Sequence, residues 1–147
     1  MRKILFIGAL ALALSACQSD LVYSRFIPIS SGDWHKDSVL LFCFQVADTT
    51  VDYAMDLYVR HTERYAYQNI WLFVQSQHRD TVNGYLADDR GRWLGDHQHG
   101  LTETRVMNRV PMHFSDTGTY SITVQHAMRD TILRNVMEIG VEVYKQR

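Results

Sequence analysis

The sequence predicts an all-β fold, a single antiparallel β-sandwich of about 7–8 strands. Three features carry this expectation. Apolar residues recur with period two in segment after segment, polar turn signals separate those segments, and stretches with helical periodicity are scarce. At 147 residues the chain has the length of one domain, and neither an internal repeat nor a low-complexity segment divides it.

The front of the chain is distinct. Arg2 and Lys3 precede the apolar run Ile4–Leu14, and "LSAC" ends at Cys17. A run of 11 apolar residues is well short of the roughly 20 that cross a bilayer as a helix, so residues 1–16 read as a signal peptide. Leu14, Ser15, Ala16 and Cys17 match the bacterial lipobox, which makes Cys17 the expected lipidation site. One acyl chain binds membranes only marginally, at about 0.8 kcal/mol per buried methylene. A lipoprotein carries more than one long chain, so membrane attachment through Cys17 is expected to be permanent. Residues 17–31 are expected to form a lipidated, extended tether, and 32–147 the sandwich.

"SVLLFCFQV" (38–46) is almost continuously apolar, as a central strand would be. Cys43 within it is expected to be a buried, inert small hydrophobe. With Cys17 acylated it is the only thiol left, so no intrachain disulfide is expected. "YAMDLYVRH" (53–61) puts Tyr53, Met55, Leu57 and Val59 on one face and Asp56, Tyr58 and Arg60 on the other. "NIWLFVQSQ" (69–77) alternates Ile70, Leu72 and Val74 against Trp71, Phe73 and Gln75, and Trp71 is assigned to the core. "TVNGYLA" (81–87) is shorter, and its Gly84 predicts a bulge.

In the second half, "TRVMNRVPMHF" (104–114) is strand-like, with Pro111 pointing to an edge or a break. "SDTG" (115–118) is a turn. It leads into a strand whose Tyr120, Ile122, Val124, His126 and Met128 share a face. "VMEIGVEVYK" (136–145) closes the domain with Met137, Ile139, Val141 and Val143 expected inward. A rival helix over 127–139 would align Met128, Ile132 and Val136, but an Asp-Thr pair interrupts it.

Without Arg2 and Lys3 the chain holds 13 basic and 16 acidic residues, a net charge of −3 with no basic run. Nucleic acid is therefore not an expected partner, nor is electrostatic binding to anionic lipid. No G-x-S-x-G, H-E-x-x-H or phosphate-cradling glycine loop occurs, so no enzyme activity and no cofactor are expected. His97 and His99 form an H-x-H pair beside Asp88, Asp89 and Asp96, but they lie in loop-like composition without the three or four regularly spaced ligands of a zinc site. The acidic spacing of "DDRGRWLGD" does not match a calcium loop. No metal and no small-molecule ligand are expected. Trp34 and Trp93 sit among glycine, charge and turn residues. Each either folds back over the sandwich or serves as an exposed anchor, and with His35 and Arg92 they form the candidate partner-binding set.

Several separated pieces resemble the GldH gliding-motility lipoproteins of Bacteroidota. They are "LSAC", "WHKDS" (34–38), "LADDRGRWLG" (86–95), the F-x-x-x-G-x-Y pattern at 114–120 and "QHAMR" (125–129). The resemblance implies a non-catalytic cell-envelope lipoprotein that supports the gliding apparatus and associated type IX secretion through contacts with other envelope proteins. The "DTILRN" connection after "QHAMR" is shorter than is usual in that family. Glutamine follows Cys17 where enterobacterial inner-membrane retention uses aspartate, which favours the outer membrane by default. The alternative, from another class, is a surface glycan-binding module, motivated by the loop tryptophans.

Overall fold

A computed structural model describes residues 20–146. The expected signal peptide, Cys17 and the first part of the tether lie outside the described residues. The chain forms β1 (Leu21–Pro28), a one-turn 3-10 segment (Ser30–Gly32), β2 (Asp33–His35), β3 (Leu40–Val46), β4 (Tyr53–Thr62), β5 (Asn69–Gln75) and β6 (Arg79–Tyr85). It continues with β7 (Asp96–Gln98), β8 (Leu101–Met112), β9 (Gly118–His126), β10 (Ile132–Arg134) and β11 (Val136–Lys145). A five-stranded sheet, β1-β11-β4-β8-β7, faces a four-stranded sheet, β3-β9-β5-β6, and β10 pairs with β2 in a small ribbon. All pairings are antiparallel. The all-β sandwich holds, with eleven strands among the described residues in place of 7–8, because short pairings such as β2–β10 carry too few residues to show a period.

Alternation explains the core. Tyr53, Met55, Leu57 and Val59 of β4, with Ile139, Val141 and Val143 of β11, meet Phe42, Phe44 and Val46 of β3 and Ile70, Leu72 and Val74 of β5 in one buried cluster. At one end Phe114 packs edge-on against Phe44 and Tyr53, with ring centroids 5.8 and 5.5 Å apart. Each such large apolar side chain contributes roughly 1.5–3 kcal/mol when fully buried.

Five sequence expectations change. The stretch assigned to a tether contains β1, paired with β11 from Leu21 to Pro28, so the extended conformation is that of a sheet strand. β3 is an edge strand, bonded only to β9, and Cys43 is exposed on its outer side. Gly84 lies in an unbroken β5–β6 register rather than a bulge. A Cβ there would come within 2.6 Å of Val106 Cγ1, so the glycine serves the close approach of the two sheets. In β11 a register shift between Val136 and Glu138 turns Val136 inward and leaves Met137 half-buried. Trp71 lies on the solvent side of β5. The rival helix is absent, since β10 and β11 occupy its residues. Pro111 pairs with Ala54 in a part of β8 that β7 does not reach, as the edge reading required.

The outer face of the larger sheet is closed by its own charges. Asp56, on the central strand β4, has no solvent exposure. Its Oδ1 accepts the backbone N–H of Arg109 at 2.5 Å, and its Oδ2 accepts from Arg105 Nη1 at 3.1 Å and from the Tyr58 hydroxyl at 3.3 Å. Arg109 stands at φ 50, in the left-handed region, where β8 shifts register against β4. Its guanidinium lies 3.6 Å over the Tyr144 ring. Nearby, Arg60 bridges Glu103 and Glu138 while stacking 3.8 Å over Phe26. The Phe26 ring covers Gly140, where a Cβ would meet ring atoms at 2.1–2.5 Å.

Gly140→Ala is therefore expected to destabilise the domain by about 1–3 kcal/mol, the usual range for overpacking. Adding Phe26→Ala removes the clash, so urea unfolding of the double variant should show a loss smaller than the sum of the single losses. Additive losses would contradict the contact.

Candidate functional site

Trp34 and Trp93, the two tryptophans singled out in loops, are each packed against a histidine. Trp34 lies in β2 opposite Leu133 and is 1% exposed. Its indole N–H donates to the Ser38 carbonyl at 2.9 Å, and its ring meets His126 edge-on at 5.3 Å. Trp34 thus folds back into the core rather than serving as an exposed anchor, and its ring offers no surface contact. Its neighbour His35 is exposed and close to Asp37.

The segment 86–96 is a braced turn. Ala87 and Trp93 form a bridge, the Asp88 N–H donates to the Arg92 carbonyl at 2.8 Å, and Gly91 takes φ 78 at the tip. Asp88 Oδ1 accepts the backbone N–H groups of Arg90 and Arg92, both at 2.9 Å, and its Oδ2 accepts Arg92 Nε at 2.8 Å. These bonds, led by the Arg92 backbone N–H, hold the carboxyl below the usual Asp range. A Cβ at Gly95 would lie 2.0 Å from the Glu103 carbonyl oxygen, so the turn lies flat against β8. Trp93 is half-buried over His61, with ring centroids 4.4 Å apart, while Arg92 stays exposed. His97 and His99 part company: His97 sits in β7 near Thr102, whereas His99 turns away at φ 53. Among the described residues no three His, Cys, Asp or Glu side chains converge on one point.

The open surface lies elsewhere. On the outer face of the smaller sheet a groove of about 470 Å³ is lined by Tyr67, Trp71, Phe73, Thr81, Met128 and Asp130. Trp71 and Tyr67 are each 40% exposed. β5 sets the spacing, since Trp71 and Phe73 alternate with the buried Ile70, Leu72 and Val74. The segment after β9 forms the other wall. Ala127 N–H donates to the Trp71 carbonyl at 2.7 Å, and the Trp71 backbone N–H donates to Met128 Sδ at 3.2 Å. The Tyr67 hydroxyl donates to Asp130 Oδ2 at 2.7 Å. That bond raises the Tyr67 pKa, because ionisation would set a phenolate beside the carboxylate. The rings, one thioether and a polar rim suit contact with an apolar or planar surface. Sequence reasoning missed Trp71 because alternation within a strand does not say which face is covered. The adjoining "QHAMR" motif was the available signal, since it supplies the second wall.

Fold and surface together define a β-sandwich module with ion-paired charges on the face of one sheet and an open aromatic groove on the face of the other. The chain belongs to the GldH lipoprotein family, whose model matches residues 21–143. It is similar to the gliding motility lipoprotein GldH homolog of Christiangramia forsetii, with 27% identity over 144 residues, 89% of this chain and 88% of that protein. It is also similar to the gliding motility lipoprotein GldH of Flavobacterium johnsoniae, at 25% identity over 146 residues and 90% of each. A solved structure, the infectious bursal disease virus VP2 subviral particle, aligns at 12% identity over 88% of this chain and 42% of that one. Its TM-score is 0.21, so nothing rests on it.

The two Trp–His pairs generate a pH prediction. His126 Nε2 lies 3.0 Å from the Trp34 carbonyl and His61 Nδ1 lies 2.9 Å from the Thr62 carbonyl, while the other nitrogen of each ring is buried without a partner. Burial therefore pushes both imidazoles below their ordinary pKa. Below about pH 6.5 the unfolded chain binds protons that the folded chain refuses, so stability is full above that value and falls as pH drops through it. Melting temperature should decline across this window. His126→Gln, which keeps a donor for the Trp34 carbonyl, should be less stable at neutral pH and show a shallower decline. An unchanged slope would contradict the assignment.

Proposed function

We propose that this chain is a non-catalytic cell-envelope lipoprotein, anchored to the outer membrane by acyl chains on Cys17 after removal of a signal peptide over residues 1–16. Its domain supports the gliding motility apparatus and the associated type IX secretion through protein–protein contacts. Family membership and the names of its relatives support the setting. The observation that carries the contact surface is the groove, where Trp71 and Tyr67 are exposed although neither fills a gap in the core. Buried aromatic anchors dominate protein interfaces, whereas the opening on the larger sheet, about 290 Å³ between Arg60, Asp96, His99 and Glu103, is smaller and lined by charged and polar side chains rather than rings. His35, Arg92 and the exposed edge of Trp93 are proposed as further contact positions.

A glycan-binding module is the second reading. Asp130, held beside the Tyr67 ring, favours it, since sugar faces stack on aromatic rings and sugar hydroxyls donate to carboxylates.

In-cell crosslinking with mass spectrometry separates the two. The parent chain is expected to yield envelope-protein adducts, and Trp71→Ala, exposed enough to leave the core intact, is expected to reduce them about tenfold, the loss of a hot spot of roughly 1.4 kcal/mol or more. Adducts indifferent to Trp71 would remove the groove from the interface. Glycan-array binding that requires Trp71, without protein adducts, would favour the second reading.

A further inference from the structure

The edges of the two sheets are unequally protected. β1 carries Arg25 and Pro28 and shifts register near its start. β6 begins with Arg79 and Asp80, and β7 is three residues long with Asp96 and His97. Beyond β7 the free side of β8 carries Arg105, Arg109, a bulge and Pro111. These are the ordinary devices that stop one sheet from adding to another. β3 has none of them. From Leu40 to Val46 it holds no charge and no proline, and its register with β9 is unbroken. Among the described residues its other edge has no strand partner. Val39 just before it and Leu41 within it are each 52% exposed, and Cys43 is exposed at its midpoint.

From this we infer that β3 is a self-pairing edge. A second copy of the chain adds its own β3 antiparallel across a two-fold axis at Cys43, joining two four-stranded sheets into one of eight strands. The register follows from parity and length. Opposed residues of an antiparallel pair share a face, and a one-residue slip would bring Phe42 and Phe44 against the solvent-side set. Of the registers that keep faces matched, only the one centred on Cys43 pairs all seven residues. Leu40 then faces the partner's Val46, Leu41 the partner's Gln45, and Phe42 the partner's Phe44, while Cys43 faces the partner's Cys43. Continued outward, Asp37 falls opposite the partner's Thr49 and Ser38 opposite the partner's Asp48, so no like charges are directly opposed. A neutral edge that meets itself without repulsion favours a second copy as the occupant. An isologous pairing of this kind also closes, leaving no chain of subunits to grow.

Opposed residues in an antiparallel pair lie about 4.5–5.5 Å apart at Cα, within the 4.4–6.8 Å range of a disulfide. Mild oxidation of the full chain in native membranes with copper(II) phenanthroline tests the register. Two Cys43 thiols release two protons and pass two electrons to copper(II). A covalent dimer is expected, reversed by reductant and lost in Cys43→Ser, a variant that also reveals any bridge through Cys17. In the Cys43→Ser background, cysteine placed at Gln45 or Ser121, which are exposed as well, should give about tenfold less dimer. Its thiols would stand roughly 13 Å or more apart. By native mass spectrometry in detergent, Cys43→Ser should remain dimeric, while Cys43→Lys, which opposes two like charges, should be monomeric with an unchanged melting temperature. Comparable crosslinking from all three positions, a monomeric parent chain, a dimeric Cys43→Lys or Cys43 adducts only to a different protein would each overturn the proposal.

Discussion

A carboxylate with no solvent exposure sits on the outward side of the central strand, and the larger sheet is organised around it. Asp56 spends one oxygen on the Arg109 backbone N–H and the other on Arg105 and Tyr58. The first bond fixes the irregularity in β8, where Arg109 takes a left-handed conformation that a non-glycine residue adopts only when its surroundings hold it. The second oxygen also lies 3.7 Å from Arg109 Nε, so two guanidinium groups lie over the strand. Asp56 is fully buried while both arginines are nearly half exposed, so losing one arginine costs less than the roughly 3–5 kcal/mol of a fully buried pair. The bulge lets β8 stay paired with β4 on both sides of the shift, which in turn carries Met112 and the following Phe114 into the core.

The two sheets consequently present different faces to their surroundings. On the larger sheet Asp56, Arg60, Glu103, Glu138 and the rings of Phe26 and Tyr144 satisfy one another. On the smaller sheet Trp71 and Tyr67 border a groove, and β3 leaves an uncharged edge. Both features lie on the sheet that carries no internal charge network. Ring packing ties the connecting segments down, Trp34 against His126 of β9 in the smaller sheet and Trp93 against His61 of β4 in the larger one. Surface contacts can therefore change on one side without disturbing the polar architecture of the other.

Much of this was legible in the sequence. The alternation of β4, with Asp56, Tyr58 and Arg60 on the face opposite Met55 and Leu57, is reproduced in the sheet. The glycine, charge and turn residues around Trp93 do form a turn, braced by Asp88 and Arg92. The errors share one physical origin. Periodicity separates the two faces of a strand but does not say what lies beyond either face. "VLLFCFQV" was assigned to a central strand because apolar residues occupy both of its faces, yet Leu41 and Cys43 point outward from an edge. Trp71 was assigned to the core for the same reason. Gly84 resembled a bulge glycine, whereas its constraint comes from Val106 on the opposing sheet, a contact 22 residues away in sequence. Asp56 gave no local sign that two arginines some 50 residues downstream would cover it.

The most direct test of this division of labour is hydroxyl-radical footprinting of the full chain in native membranes, compared with the same chain extracted into detergent. A larger sheet whose charges pair internally and an engaged smaller sheet predict that Trp71 and Tyr67 are several-fold less oxidised in the membrane than after extraction, while Phe26, Tyr58 and Tyr144 react alike in both. Protection of the larger sheet's rings, with Trp71 and Tyr67 unchanged, would contradict it.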